Sequence, residues 1–284
     1  MPENIIETEN LTKRYPGGAT AVDNLNLKIK EGEVYGLLGP NGSGKTTTIL
    51  MITGLTEPTG GTVNVAGFNP LREALKVKRI VAYMPDSVGF YNELSAFDNL
   101  DYTGQLAGIP FKERNDRIEK AIERMGIGHV AYKPVKTFSR GMRQRLALAE
   151  VIMKKPRIAI LDEPTQGLDP ESAHEFLQLI KSLQKDGITI LLSSHLLDQV
   201  QQICDRVGLF YKGKLILEGS VGELSEKVMG KQIKIELTAE TDYPDNFRKK
   251  LENIPEITDF KIDSNRLDEV YRTYLAKERQ NAEQ

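Results

Sequence analysis

Apolar positions along this chain follow two patterns that succeed one another. In Ile5-Ile6-Glu7-Thr8-Glu9-Asn10-Leu11-Thr12-Lys13-Arg14-Tyr15 they begin to alternate with polar ones. After a turn at Pro16-Gly17-Gly18 they alternate again in Leu25-Asn26-Leu27-Lys28-Ile29-Lys30, which predicts an antiparallel β-layer. Val34-Tyr35-Gly36-Leu37-Leu38 is a short continuous apolar run instead, the pattern of a buried strand. Gly60 to Gly67 reads as a further strand between turns, and Arg79-Ile80-Val81-Ala82-Tyr83-Met84 as a core strand. At Ser95-Ala96-Phe97-Asp98 a serine is followed three residues later by an acid, as at a helix start. From there to Gly128 the pattern is mostly helical, with breaks at Gly108-Ile109-Pro110 and Gly126, so a helical insertion is expected over about residues 87–156. Strands and helices then alternate: Arg157 to Asp162 (strand), Glu171 to Lys185 (helix), Ile188 to Ser193 (strand), Leu197 to Asp205 (helix) and Val207 to Tyr211 (strand). Such alternation argues an α/β chain with a mainly parallel sheet covered on both faces. Ser220 with Glu223 caps a short helix ending near Gly230. Beyond it, residues 232–237 and 257–262 alternate as strands and 245–253 reads as a helix, a small α+β appendage over 230–284 beside a main domain of 1–229. About fifty residues seldom bury enough surface to fold alone, so the appendage is expected to dock on the main domain or on a partner.

Between the buried run and the next helical stretch, Thr48-Ile49-Leu50-Met51-Ile52, lies Gly39-Pro40-Asn41-Gly42-Ser43-Gly44-Lys45-Thr46-Thr47. A strand, a glycine loop and a helix in that order point backbone N–H groups and the positive helix end into one hollow, where a polyphosphate satisfies them. The glycines let the backbone come close. Lys45 then reaches the β- and γ-phosphates, and the Thr46 hydroxyl is placed to ligate magnesium.

Composition narrows the setting. With 284 residues, 39% of them hydrophobic, the chain holds one large core or a large and a small domain. Its 38 basic and 40 acidic residues give a formal charge of -2, so no nucleic-acid partner is expected. Cys204 is the single cysteine, which rules out an intrachain disulfide and fits a reducing compartment; a buried thiol is expected there. Met1-Pro2-Glu3-Asn4 lacks the basic-then-apolar order of a signal peptide, and no run approaches the length of a membrane span. Work at a membrane would need the spans of another chain.

Two acids give the loop a reaction. Asp162 and Glu163 end a buried strand at its C-terminal edge, where ligands bind in α/β sheets. Asp162 can hold magnesium through water, and Glu163 can orient and deprotonate an attacking water. A third segment, Phe138-Ser139-Arg140-Gly141-Met142-Arg143-Gln144-Arg145, heads a helix at Leu146 to Met153 and offers a serine hydroxyl, a glycine N–H and a helix N-terminus.

In this order the segments resemble the nucleotide-binding subunit of ATP-binding-cassette transporters, over residues 5 to about 220. The resemblance implies a P-loop NTPase core and a Mg2+-dependent ATPase. It further implies that two copies pair head to tail around two ATP molecules, with Ser139 and Gly141 completing the phosphate pocket of the opposite copy. Gly39, Asn41, Gly42, Ser43, Gly44, Lys45, Thr46 and Thr47 would hold the nucleotide, and Tyr15 matches the aromatic that stacks on adenine, although an edge-strand tyrosine looks the same. Asp169, in Gly167-Leu168-Asp169-Pro170, matches the loop that crosses the dimer interface; locally it is also a good turn before a helix. His195 matches the histidine that senses the γ-phosphate, with Glu163 the catalytic base, while His129 and His174 have no such place.

Two positions depart from the family pattern. Asp86, in Tyr83-Met84-Pro85-Asp86, stands where glutamine usually contacts magnesium, and a carboxylate can still serve as ligand beside Thr46 and Asp162. Arg140 stands where glycine is common. One cassette on its own chain with a small appendage is similar to the ATPase subunits of the type-2 exporter group. Within it, Pro85 to Tyr91 and Phe138 to Gln144 look closest to ATPases of nitrous-oxide-reductase maturation. The expected partner is a separate transmembrane permease, with this chain peripheral on the cytoplasmic face. The alternative is a soluble cassette ATPase acting on ribosomes or nucleic acid. Translation-type members carry two cassettes in one chain, however, and repair-type members carry a long coiled coil that Lys45 to Ser139 has no room for. A generic phosphate-loop kinase or GTPase is opposed by Phe138 to Arg145 and Gly167 to Pro170.

Overall fold

The computed structural model describes residues 4–224. The appendage expected from residue 230 onward, with its strands and helix, lies outside the described residues. In chain order the elements are β1 (Asn4–Arg14), β2 (Thr20–Lys30), β3 (Val34–Leu38), α1 (Lys45–Ile52), β4 (Gly60–Val65), α2 (Ala74–Ile80), β5 (Val81–Met84), α3 (Ala96–Leu106), α4 (Phe111–Arg124), α5 (Arg140–Met153), β6 (Ile158–Asp162), α6 (Pro170–Gln184), β7 (Thr189–Ser194), α7 (Leu197–Ile203), β8 (Arg206–Tyr211) and β9 (Lys214–Gly219).

Two sheets organise them. β2-β1-β4 is antiparallel, and β2 buries Val22, Leu25, Leu27 and Ile29 on one face while its polar positions face outward. The larger sheet runs β5-β6-β7-β3-β8-β9, parallel except for β9. Its central strands β3, β6 and β7 are buried along their whole length because both faces are covered. On β6, Ile158 and Ile160 pack with α1 and the antiparallel layer, whereas Ala159 and Leu161 pack with the helices of the opposite side; on β7, Leu191 faces the first core and Ile190 and Leu192 the second. The helical insertion joins that second core through Leu100, Ile118, Ile122 and Leu146. The parallel order brings the C-terminal ends of β3, β6 and β7 together, with Leu38 opposite Ser194 and Asp162 opposite Ser193. The loops leaving these three strands therefore share one edge of the sheet.

Most element boundaries agree with the hydrophobic pattern, with three differences. The strand expected from Arg79 starts at Val81, because Ala74–Ile80 is a helix whose one fully buried residue is Val77, too little of an apolar stripe to show as periodicity. The helix after Phe138 begins at Arg140, since Ser139 caps it by accepting from Met142 N–H at 3.2 Å. β9 was not expected; it returns antiparallel to β8 through Lys212-Gly213, both at positive φ (48° and 78°), the backbone of a two-residue hairpin turn. The capping box expected at Ser95 and Asp98 is present, and Ser220 and Glu223 bond each other's backbone N–H in the same way.

Candidate functional site

The phosphate loop takes its shape from its glycines. Gly44 has φ 108°, and a Cβ there would overlap the Ala21 carbonyl; a Cβ at Gly39 would overlap the Phe210 carbonyl. The first α1 bond runs from Thr48 N–H to the Gly44 carbonyl at 2.9 Å, so the N–H groups of Lys45, Thr46 and Thr47 are the unpaired donors of a helix start. The Ser43 hydroxyl is buried without a hydrogen-bond partner, while Asn41 and Gly42 are exposed. The turn of the β8–β9 hairpin braces the loop from behind: Gly213 N–H donates to the Ser43 carbonyl at 2.9 Å, and Asp23 N–H donates to the Gly213 carbonyl at 2.9 Å.

Against this loop stand the acids expected from the sequence. Asp162, only 2% exposed, accepts from the Thr46 hydroxyl at 3.2 Å and from the Ser193 hydroxyl at 2.5 Å. The Ser193 oxygen in turn accepts from Glu163 N–H at 2.9 Å, so one hydroxyl aligns both acids. Glu163 sits at φ 47°, a left-handed conformation that costs a non-glycine residue about 1 kcal/mol and persists only where the surroundings fix it. Its Oε2 lies 2.8 Å from His195 Nδ1 and its Oε1 3.3 Å from Lys45 Nζ; Oε1 is buried and accepts no hydrogen bond. Lys45 also donates to the carbonyls of Gly39 at 2.7 Å and Pro40 at 3.3 Å. Lys45, Thr46, Asp162, Glu163 and His195, far apart in sequence, are thus in contact.

Asp86 follows β5 on the same edge. The residue is exposed as a whole, yet desolvation of its carboxyl first, then the charges of Asp162 and Glu163, push that group above the usual range, against the pull of Arg140 and His195. The side-chain amide of Gln166 is assigned with its nitrogen toward Asp86, since the opposite orientation would set its oxygen against acceptors alone; so placed it donates to both carboxylate oxygens and lies 3.0 Å from Oδ2. Tyr83 lies beside Asp162, and burial followed by the Asp162 charge pushes its phenol up to about 12. Ser193, Tyr83 and Gln166 are the site residues that sequence reasoning missed; each is defined by a partner on another strand or loop, which spacing along the chain does not reveal.

Other expected residues are placed elsewhere. Ser139 caps α5, and Asp169 caps α6, where Ser172 N–H donates to it at 2.9 Å; the bonds from Ser172 hold the Asp169 carboxyl below the usual range. Among the described residues neither Ser139 nor Asp169 bonds the phosphate loop. Tyr15 is 40% exposed beside the Lys13 ammonium, 5.1 Å from its ring centre. His174 Nδ1 meets Gln202 at 2.8 Å, joining α6 to α7, and burial pushes the Cys204 thiol up to about 12. Neither has a place in the site. No helix among the described residues is long and apolar enough to cross a membrane.

Comparison with known proteins agrees with this geometry. Residues 22–166 match the family model described as ABC transporter. The chain is 42% identical over 215 residues to the bacitracin transport ATP-binding protein BcrA of Bacillus licheniformis, covering 75% of this chain and 69% of that protein. It is 36% identical over 234 residues to the linearmycin resistance ATP-binding protein LnrL of Bacillus subtilis, covering 82% of this chain and 75% of the relative. Among solved structures, the ATP-binding cassette MJ0796, a dimer in a post-hydrolysis state bound to ADP and Pi, superposes with a TM-score of 0.69 at 27% identity, covering 76% of this chain and 98% of the other. A phosphate loop facing an Asp-Glu pair and a histidine across a parallel sheet, together with these likenesses, shows that the chain belongs to the ABC transporter family, as an ATP-binding, ATP-hydrolysing subunit.

Proposed function

We propose that two copies of the chain pair head to tail around two ATP molecules, each site joining the phosphate loop of one copy to Ser139 and Gly141 of the other. The arrangement around Glu163 carries the reading: His195 holds one carboxylate oxygen at 2.8 Å, while the other, buried, accepts no hydrogen bond and is paired only with the Lys45 ammonium at 3.3 Å, so that it is left to a water once Lys45 turns to phosphate. Glu163 orients that water and takes its proton as the oxygen attacks the γ-phosphorus and the β–γ phosphoanhydride bond breaks, with ADP as the leaving group. Lys45 neutralises charge on the β- and γ-phosphates, and the loop N–H groups with the Ser43 hydroxyl satisfy their oxygens. Tyr15 presents its ring to adenine from the end of β1, and Asp169 lies on the segment that faces the other copy.

The same cluster suits a divalent cation. Asp162 and the Thr46 hydroxyl lie side by side, and among the described residues no group of three or more His, Cys, Asp and Glu side chains is placed to hold a metal ion alone, so these two need the nucleotide's oxygens to complete a ligand set. Thr46 and Asp162 would hold Mg2+ there, which when bound supplies positive charge beside the phosphates.

ATP binding in two shared sites closes the pair and hydrolysis reopens it, a population shift driven by differential affinity for the closed state. The motion passes to a separate transmembrane permease on the cytoplasmic side through the surface beside Asp86, Phe90 and Tyr91, where Tyr91 is 56% exposed, and drives export or other membrane-coupled transport. Glu163→Gln should lower turnover by about a hundredfold or more while an ATP-bound dimer accumulates on a sizing column. Normal hydrolysis by that variant removes Glu163 from the role. Co-purification of the full-length chain should bring down a membrane protein; ribosomes or DNA in its place would favour the soluble alternative.

A further inference from the structure

The two departures from the family pattern, Asp86 and Arg140, meet at one residue. Asp86 receives the Gln166 side-chain amide, and Arg140 Nε donates to the Gln166 carbonyl at 2.7 Å. The Arg140 guanidinium also lies so close to Gly167 that a Cβ there would overlap it. Gln166 in turn closes the turn that starts at the base: its N–H donates to the Glu163 carbonyl at 3.0 Å. That turn holds Glu163 at φ 47°, a backbone state it would not keep unaided. On the β7 side Ser193 fixes Glu163 N–H, and Thr165 is bonded to Gln199 of α7. On the other side the turn is gripped by Asp86, from the segment after β5, and by Arg140, from the start of α5. The charges balance as well: Asp86 adds a carboxylate beside Asp162 and Glu163, and Arg140 faces it with a cation.

We propose that Asp86, Gln166 and Arg140 form a bridge that positions Glu163, with Asp86 acting through the Gln166 amide on the turn that carries the base rather than by holding the cation itself. The bridge presupposes that Glu163 is the base. Asp86 and Gln166 are positioning residues in this scheme, and glutamine at the Asp86 position would pair with Gln166 less strongly than a charged acceptor does.

The test is a double-mutant cycle on the full-length chain, Asp86→Ala with Gln166→Ala, reading kcat, KM for ATP and the Mg2+ concentration at half-maximal rate. Asp86 is exposed and Gln166 half-buried, so neither change opens the core, and thermal melts check the fold. Each single change should lower kcat about tenfold through misplacement of the base, and the double change should lower it no further than the more severe single. KM and the Mg2+ requirement should stay at wild-type values. Asp86→Asn, which keeps an oxygen acceptor for the amide, should recover most of the rate lost in Asp86→Ala. An Mg2+ requirement raised by Asp86→Ala but not by Gln166→Ala makes Asp86 a metal ligand and overturns the bridge. Factors that multiply in the double variant, or singles that turn over at the wild-type rate, overturn it too. Should the singles be normal while Glu163→Gln is dead, only the bridge fails; should Glu163→Gln be active, the reading beneath it fails.

Discussion

Ser193→Ala removes the one hydroxyl that serves both acids of the site. The hydroxyl is fully buried; its O–H donates to Asp162 at 2.5 Å and its oxygen accepts from Glu163 N–H at 2.9 Å. A hydrogen bond to a charged group contributes about 1.5–3 kcal/mol, and a buried N–H left without an acceptor costs about 1–3 kcal/mol. Asp162 keeps the Thr46 donor, so part of the first loss is recovered. A net cost of about 3 kcal/mol follows, which for a domain of this size lowers Tm by roughly 6–12 °C. The change also frees the peptide of Glu163 from one of the bonds holding it left-handed, so kcat should fall about tenfold or more with little change in KM. Differential scanning calorimetry on the variant, paired with a phosphate-release assay, reads both effects. A Tm within about 2 °C of wild type together with an unaltered kcat would refute the reasoning, because it would mean that neither acid depends on this hydroxyl.

Ser139→Ala should cost about 1 kcal/mol of stability through loss of the α5 cap and lower ATP turnover, while ATP affinity of the monomer, read by titration below the dimerisation range, stays the same; a collapse of monomer affinity would place Ser139 in its own chain's pocket. Asp205→Asn should lower Tm near neutral pH, because the carboxylate accepts from Val34 N–H at 2.9 Å, Lys181 at 2.9 Å and Gln184 at 2.6 Å. Burial works against the charged Asp205, yet these donors outweigh it and depress its pKa, so its stabilisation is present above the unfolded value of about 4 and is lost as pH falls through the lower folded value. Melts across pH should therefore show the gap between wild type and variant closing below about pH 4, and a gap independent of pH would contradict the assignment.

The sequence made the chemistry of the site legible wherever a short segment carries it whole. The loop around Lys45 and the acids Asp162 and Glu163 announce themselves because residue type and strand-loop context suffice. His195 was found only through the strand before it and the resemblance. The hidden features depend on partners distant in sequence. Ser193 looks like any strand-end serine until β6 and β7 are paired in register. Gln166 and Arg140 are 26 residues apart and meet only because α5 starts beside the turn after β6. Helix α2 escaped because its polar residues outnumber its single core contact, and β9 because its half-buried positions alternate weakly. The Lys212-Gly213 pair was the available signal for the hairpin, since a glycine in a two-residue turn marks one.

The sheet order has a consequence for how the site is made during synthesis. β3 carries the phosphate loop, yet its neighbours in the sheet are β7 and β8, and the turn that braces Ser43 is at Gly213. A growing chain thus exposes the loop early and must wait for the segments from Thr189 to Gly213 before its strand has partners on either side or the loop has its backing. At translation rates of about 5–20 residues per second, that interval lasts roughly ten to thirty seconds. Through that time the strand of the nucleotide loop is an apolar run without a ladder, and the finished binding site depends on one of the last turns of the domain to emerge.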